Sequence, residues 1–235
     1  MNNRSYIIIN TDDDMNRKQR KINIISVERC KMNKIRSYIS SQFKNPRGAV
    51  GRGVTLLQNI INKKMYKKAV SLVNVSQDDS ILDIGYGNGH LLKMIYDKCM
   101  PDMYGIDISD DAMAMATKRN RKALSDGRLQ LTVGDCCELP YDENMFSAIT
   151  TINTVYFWSD TVKGLSEIRR CLKPGCSFYN VAFTKEYLDK VKYTETGYRK
   201  FEEDELVQYG KDAGFENIEI KEIVKGSSFV VVYTK

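Results

Sequence analysis

Apolar residues recur in short runs separated by turn residues and by stretches with helical spacing. Runs at about 80–84, 103–107, 129–134, 147–153, 177–183, 217–224 and 228–234 predict strands, and stretches at about 89–99, 110–124, 160–171 and 202–213 predict the helices between them. Such alternation implies an α/β domain with a mostly parallel sheet covered on both faces. Only Lys225-Gly226-Ser227 separates the last two strands. A connection that short closes a hairpin, so the final strand should run antiparallel. Upstream, Val54, Leu57, Ile60, Ile61, Met65, Ala69, Leu72 and Val73 are spaced for one or two amphipathic helices packed on the sheet. A shorter helical pattern runs from Ile35 to Phe43, and Asn45-Pro46-Arg47-Gly48 is a turn signal. Residues 1–31 are polar with weak periodicity and are expected to lack a stable fold. Met32-Asn33-Lys34-Ile35 offers a second plausible start, and the natural chain is expected to begin there. The expected organisation is thus an extension over 1–31, a helical cap over 32–75 and the main domain over 76–235.

Composition narrows the class. The chain has 235 residues, 42% hydrophobic and 28% charged, as in ordinary globular proteins. No apolar run approaches the roughly 18 residues of a membrane span, and the N-terminus is too acidic at Asp12-Asp13-Asp14 for a signal peptide. A cytoplasmic protein is expected. The six cysteines show no C-x-x-C spacing and His90 is the single histidine, so neither a metal site nor a disulfide framework is expected. The net charge of +6 is unevenly placed: residues 1–48 carry 11 Lys and Arg against 4 Asp and Glu, residues 49–235 carry 25 against 26. A near-neutral body disfavours nucleic acid as the partner.

The candidate chemistry begins at Ile81-Leu82-Asp83-Ile84-Gly85-Tyr86-Gly87-Asn88-Gly89-His90. A buried strand, a glycine turn and a helix start form the layout of a nucleotide-type cofactor site. The dinucleotide fingerprint G-x-G-x-x-G is not met, because its sixth position is His90. Asp107 ends the next predicted strand, where an acid can accept hydrogen bonds from both ribose hydroxyls. Asp135 ends the third, where a carboxylate can accept from an exocyclic amine while the Cys136 N–H meets a ring nitrogen. The fourth strand leads into Asn153-Thr154-Val155-Tyr156-Phe157-Trp158, an aromatic cluster. Each residue also has a plainer role. Asp83 could brace the turn, Asp107 could cap the following helix unless Ser109 does, Asp135 could cap a turn, and His90 could pack rather than act as a base. The aromatics Tyr156 and Trp158 could be core, and Tyr187, Tyr193 and Tyr198 could lie in a solvated loop. The pairs Lys63-Lys64 and Lys67-Lys68 suit a solvated helix face, with a membrane-surface role as the alternative.

These features together resemble the class I S-adenosylmethionine-dependent methyltransferases. Asp83 to Gly89 look like their first motif, Asp107 like the acid of their second strand, and Asp135-Cys136 like their adenine-contacting position. Arg170-Cys171-Leu172-Lys173-Pro174-Gly175-Cys176 and Ala213-Gly214-Phe215 resemble their turns before strands five and six. The resemblance implies a Rossmann-like sheet of order 3-2-1-4-5-7-6 with strand seven antiparallel. Phe43-Lys44-Asn45-Pro46-Arg47-Gly48 also resembles an F-x-x-P-x-G segment of some small bacterial methyltransferases. The cofactor-binding set expected on this basis is Asp83, Gly85, Tyr86, Gly87, Asn88, Gly89, Asp107, Ile108, Asp135, Cys136, Thr151 and Asn153. The acceptor pocket is expected at Tyr156, Trp158, Tyr187 and Tyr193, with the helix at 53–74 and the segment 184–200 as closing walls. Tyr156 and His90 are the candidates for a catalytic group. The expected reaction moves a methyl group from S-adenosylmethionine to an oxygen, nitrogen or sulfur of a small molecule. Asn153-Thr154-Val155-Tyr156 lacks the prolines expected of a nucleic-acid amine methyltransferase. The alternatives are a non-catalytic binder of the same cofactor and, less favoured, a nicotinamide-dependent oxidoreductase.

Overall fold

The computed structural model describes residues 32–35, 37–43 and 48–235. Residues 1–31 and the centre of the F-x-x-P-x-G segment, 44–47, lie outside them. Seven strands, β1 (Ser80–Ile84), β2 (Asp102–Asp107), β3 (Leu129–Val133), β4 (Phe146–Ile152), β5 (Leu172–Phe183), β6 (Asn217–Val224) and β7 (Ser228–Thr234), form one sheet of order β3-β2-β1-β4-β5-β7-β6. Strand β7 is antiparallel to both neighbours and the other pairs are parallel. The Rossmann-like order and the reversed last strand are as expected from the sequence.

Period-two alternation sorts the strand side chains into two cores. Leu82, Ile149, Phe178, Val231 and Tyr233 face one side, and Ile81, Ala148, Val181 and Val230 the other. Helices cover both: α1 (Gly48–Ile61), α2 (Lys63–Leu72), α3 (His90–Cys99), α4 (Asp110–Arg119), α5 (Arg121–Ser125), α6 (Thr161–Cys171), α7 (Lys185–Asp189) and α8 (Glu203–Asp212). Leu165 and Ile168 of α6 and Leu206 of α8 pack in the first core, and Met65 and Ala69 of α2, Leu92 and Ile95 of α3, and Ala116 of α4 in the second. Among the described residues no helix is long and apolar enough to cross a membrane.

Three departures from the sequence pattern matter for the site. The stretch 110–124 is two helices, broken at Asn120, whose side-chain amide donates to Ala116 O and to Gly89 O, both at 3.0 Å. The stretch 53–74 also splits, at Asn62, and its first helix starts earlier, at Gly48. Most consequentially, α1 turns its apolar stripe outward. Leu56, Leu57 and Ile60 are exposed, whereas Thr55 and Asn62 are buried. Only α2 sits on the domain as its periodicity predicts, through Met65, Ala69 and Val73 behind it.

Candidate active site

The carboxyl ends of β1 to β4 surround a cavity of about 300 Å³, roofed by α1 and α2. That size is within the range of small-molecule sites, roughly 300–1,000 Å³. The floor is the glycine turn. Gly85 holds φ 67°, and a Cβ there would lie 2.2 Å from Thr154 Cγ2. The strand-four loop thus closes directly onto the turn, as only glycine permits. At Gly87 a Cβ would meet nothing within 4 Å, so the turn is open on the cavity side.

Asp107 ties the turn to β2. Its Oδ2 accepts from the Gly87 N–H at 2.9 Å and its Oδ1 from the Ser109 N–H at 3.0 Å. Each oxygen keeps lone-pair capacity for a ligand. Burial raises its carboxyl above the usual range, and the backbone donors at Gly87, Ser109 and Ile108 oppose that shift. The Ser109 hydroxyl accepts from the Ala112 N–H and caps α4, so the helix does not need Asp107 for that task. Ile108, Asp135 and Cys136 complete the wall beyond β2 and β3. Asp135 Oδ1 accepts from the Cys137 N–H at 2.9 Å, the turn bond foreseen as its plainer role, while the residue remains exposed at the cavity. Burial pushes the Cys136 thiol up, with Cys137 and Asp135 adding to the effect, which keeps it an inert thiol.

Tyr86, between the first two glycines, is buried against the sheet. Its hydroxyl donates to Thr132 O at 3.3 Å. Room for the ring comes from Gly105 on β2, where a Cβ would lie 2.6 Å from Tyr86 Cδ1. Tyr86 therefore lines the cavity without filling it.

The roof is held by amides. Asn88 Nδ2 donates to Asn59 Oδ1 at 3.3 Å, and Asn153 Nδ2 donates to Asn62 Oδ1 at 3.1 Å. Asn153 has φ 59°, a left-handed conformation that asparagine tolerates better than most residues. Its Oδ1 accepts from the Tyr156 hydroxyl at 3.1 Å. Thr55, Gln58, Asn59, Asn62 and Tyr66 line the cavity from above. None of these five was singled out from the sequence. The available signal was the run of polar residues on one face of α1.

Several expected site residues stand elsewhere. Asp83 is buried beneath the turn and off the cavity wall, with Oδ1 accepting from Thr150 Oγ1 at 2.8 Å. Burial raises its pKa to about 7, the Thr150 hydrogen bond lowers it and Asp107 raises it further. Asp83 braces β1 against β4. Gly89 also lies off the wall, because a Cβ there would sit 2.3 Å from Asn120 Nδ2, so this glycine serves helix packing. Thr151 is fully buried and donates to Ile84 O at 2.8 Å. His90 lies outside the cavity, its ring edge-on to Tyr66 and its Nδ1 3.0 Å from Arg119 Nη1. Arginine can only donate, so that nitrogen accepts and the imidazole is neutral. Burial, then Arg119, lowers its pKa accordingly.

A second, smaller cavity of about 30 Å³ adjoins the first. Phe43, Gln58, Asn62, Asn153 and Phe157 line both. Tyr156, Phe183, Tyr193 and Tyr198 enclose its far side, with Phe43 stacked on Tyr193 at 4.3 Å. Burial holds the Tyr156 phenol far above its usual range, and its oxygen is engaged by Asn153 and by the Phe183 N–H. It is therefore no base at neutral pH. Trp158 lines the larger cavity, with its indole N–H donating to Thr154 Oγ1 at 3.1 Å. Tyr187 lines neither cavity, since its ring stacks on Phe183 at 4.6 Å. Asp107 and Asp135 are the charged side chains in the larger cavity, and none lines the smaller one.

A parallel sheet with a reversed seventh strand, and a cavity where its order reverses at β1, define a Rossmann-like fold with a candidate nucleotide-type cofactor site. Residues 82–180 match the family described as a methyltransferase domain. The chain is 25% identical over 161 residues, 68% of its length and 84% of the relative's, to the uncharacterized methyltransferase YdaC of Bacillus subtilis (strain 168). It is 31% identical over 123 residues to 24-methylenesterol C-methyltransferase 3 of Arabidopsis thaliana, 52% of this chain but 34% of that protein. A solved Haemonchus contortus phosphoethanolamine N-methyltransferase 2, in complex with S-adenosyl-L-methionine, matches with TM-score 0.57 and 24% identity over 71% of this chain and 38% of that one. The matched methyltransferase domain, the relatives and the fold together support a class I S-adenosylmethionine-dependent methyltransferase, with S-adenosylmethionine as cofactor.

Proposed function

We propose that the chain methylates a small, largely apolar or aromatic acceptor at an oxygen, nitrogen or sulfur atom. The observation that carries this reading is the pairing of two cavities. One has carboxylates and backbone donors suited to an adenosyl group; the other, at about 30 Å³ too small for a whole acceptor as it stands, is uncharged and aromatic, joins the first through Asn153, Asn62 and Phe157, and marks the side from which the acceptor would approach. The sterol in a relative's name accords with an apolar acceptor, while its naming as a C-methyltransferase gives no support to the choice of an oxygen, nitrogen or sulfur atom.

The larger cavity fits the cofactor: it is open above Gly87, and Asp107 lines it with one backbone hydrogen bond on each oxygen and lone-pair capacity left on both. Asp107 would take the ribose hydroxyls. Asp135 and the Cys136 N–H would take the adenine edge, with Ile108 against its face. Gly85, Gly87 and Asn88 would border the amino-acid end. When bound, S-adenosylmethionine supplies a methyl group already activated by a sulfonium, so the protein's task is alignment. Holding two reactants in line contributes up to roughly 7–11 kcal/mol of barrier reduction. The amide-pinned roof excludes water, and the aromatic wall orients the acceptor. Among the described residues no Lys, Arg, His or Glu lines either cavity, and the two carboxylates that do, Asp107 and Asp135, are assigned to the cofactor, so the acceptor atom would be nucleophilic without a dedicated protein base.

Calorimetry with S-adenosylhomocysteine, followed by a screen of neutral aromatic and apolar metabolites with labelled methyl donor, tests the reading. Cofactor binding with no transfer to any acceptor would favour the non-catalytic binder instead. Absence of cofactor binding by folded protein would remove both.

A further inference from the structure

Helix α1 has its two faces reversed relative to a helix that packs only on its own domain. The inner face carries Thr55, Gln58, Asn59 and Asn62, all on the cavity wall. The outer face carries Val50, Leu56, Leu57 and Ile60, exposed by 50%, 60%, 50% and 73%. Helical spacing places these four in one stripe. A contiguous apolar stripe on a soluble domain marks an interaction surface.

The charge beside it narrows the partner. Lys63, Lys64 and Lys67 at the start of α2 are exposed, and none is in an ion pair among the described residues. Residues 32–72 hold nine Lys and Arg and not one Asp or Glu, while residues 73–235 hold 20 against 26. A second copy docking through the same stripe would set this acid-free segment against itself. A surface with apolar interior and anionic headgroups complements both the stripe and the lysines. The same helix reaches the aromatic cavity, which Gln58 and Ile61 help to line. The docking face is therefore continuous with the acceptor's side of the site.

We propose that α1 and the first turns of α2 dock on an anionic lipid surface, with Leu56, Leu57 and Ile60 entering the headgroup boundary and Lys63, Lys64 and Lys67 meeting lipid phosphates. The proposal stands on the cap alone and does not require the acceptor class given above.

Sedimentation of the full chain with vesicles tests it. Binding is expected to vesicles of phosphatidylcholine with phosphatidylglycerol, and weaker binding to phosphatidylcholine alone, with the difference shrinking as salt rises. Leu56→Gln with Ile60→Gln should weaken partitioning by at least about tenfold. Lys63→Gln with Lys64→Gln should weaken binding to the anionic vesicles by roughly thirtyfold, at about 1 kcal/mol per lysine. These four residues line neither cavity, so calorimetric affinity for S-adenosylhomocysteine should be unchanged in both variants. That readout separates a failed docking surface from a failed cofactor assignment. No partitioning onto anionic vesicles, or equal partitioning by the Leu56/Ile60 variant, overturns the proposal. So does a dimer in light scattering that this variant dissolves, because the stripe would then belong to a second copy.

Discussion

Gly105→Ala probes how the turn accommodates a tyrosine. The added Cβ would lie 2.6 Å from Tyr86 Cδ1, 2.9 Å from Leu131 Cδ2 and 3.3 Å from Leu92 Cδ1. Carbon atoms pack at about 3.5–4.0 Å, so the Tyr86 ring would need to move by roughly 1 Å. The sheet blocks it on one side and the cavity is open on the other, so the ring is driven toward the cofactor's space. Overpacking of this kind costs about 1–3 kcal/mol. For a domain of this size that is a Tm drop of roughly 2–12 °C. Affinity for S-adenosylhomocysteine should fall by about tenfold or more, equivalent to ~1.4 kcal/mol. The double-mutant cycle with Tyr86→Ala, read by urea denaturation and calorimetry, isolates the cause. With the ring gone, the second substitution should cost under about 0.5 kcal/mol, since Gly is itself unfavourable in a strand. If Gly105→Ala destabilises the Tyr86→Ala protein as much as the parent, the obstruction is Leu131 and the account of Tyr86 is wrong.

Asp107→Ala should weaken S-adenosylhomocysteine binding by about tenfold to a hundredfold, through loss of one or two charged hydrogen bonds. Calorimetry showing parental affinity in a folded variant would remove Asp107 from the site. Asp83 has a folded pKa raised to about 7 from 3.8. Between about pH 4 and 7 the unfolded chain gives up this proton while the folded one keeps it. Its contribution therefore falls as pH rises through that window, by up to about 1.4 kcal/mol per pH unit, and levels off above it. Asp83→Asn should flatten that part of the stability–pH curve, and an unchanged slope in denaturant titrations would contradict the assignment. Asn62→Ala removes the 3.1 Å bond to Asn153. It should speed cofactor dissociation in stopped-flow traces by several-fold, at about 1 kcal/mol for a neutral hydrogen bond. An unaltered off-rate would mean that this bond does not hold the roof.

The centre of the sheet was legible because strands such as β1 and β7 are nearly continuous apolar runs, as strands covered on both faces tend to be, and the last pairing because Lys225-Gly226-Ser227 favours a tight reversal. The glycine turn and Asp107 were legible because their spacing along strand and helix already puts them at one edge. Asp83 and Thr151 lie off the cavity wall for a physical reason. Position at a strand end does not reveal which way a side chain faces, and both turn inward to bond with neighbouring strands. The break at Asn120 was invisible because its partner, Gly89 O, is 31 residues away in sequence. The roof was read as helical, but its orientation was inverted. Apolar spacing was taken to mark the buried face, whereas in α1 the buried face is the row of threonine and amides that covers the cavity. The fit of Tyr86 between the two glycines was not legible either, because the room for its ring comes from Gly105 on the neighbouring strand.

Asn153 carries two demands at one position. Its backbone angle excludes β-branched and bulky replacements, and its amide must both donate upward to Asn62 and accept from Tyr156. Glycine would satisfy the first demand and forfeit the second; glutamine would do the reverse. Attempts to re-engineer acceptor choice should therefore leave this hinge of the two chambers untouched and vary the surrounding rings instead.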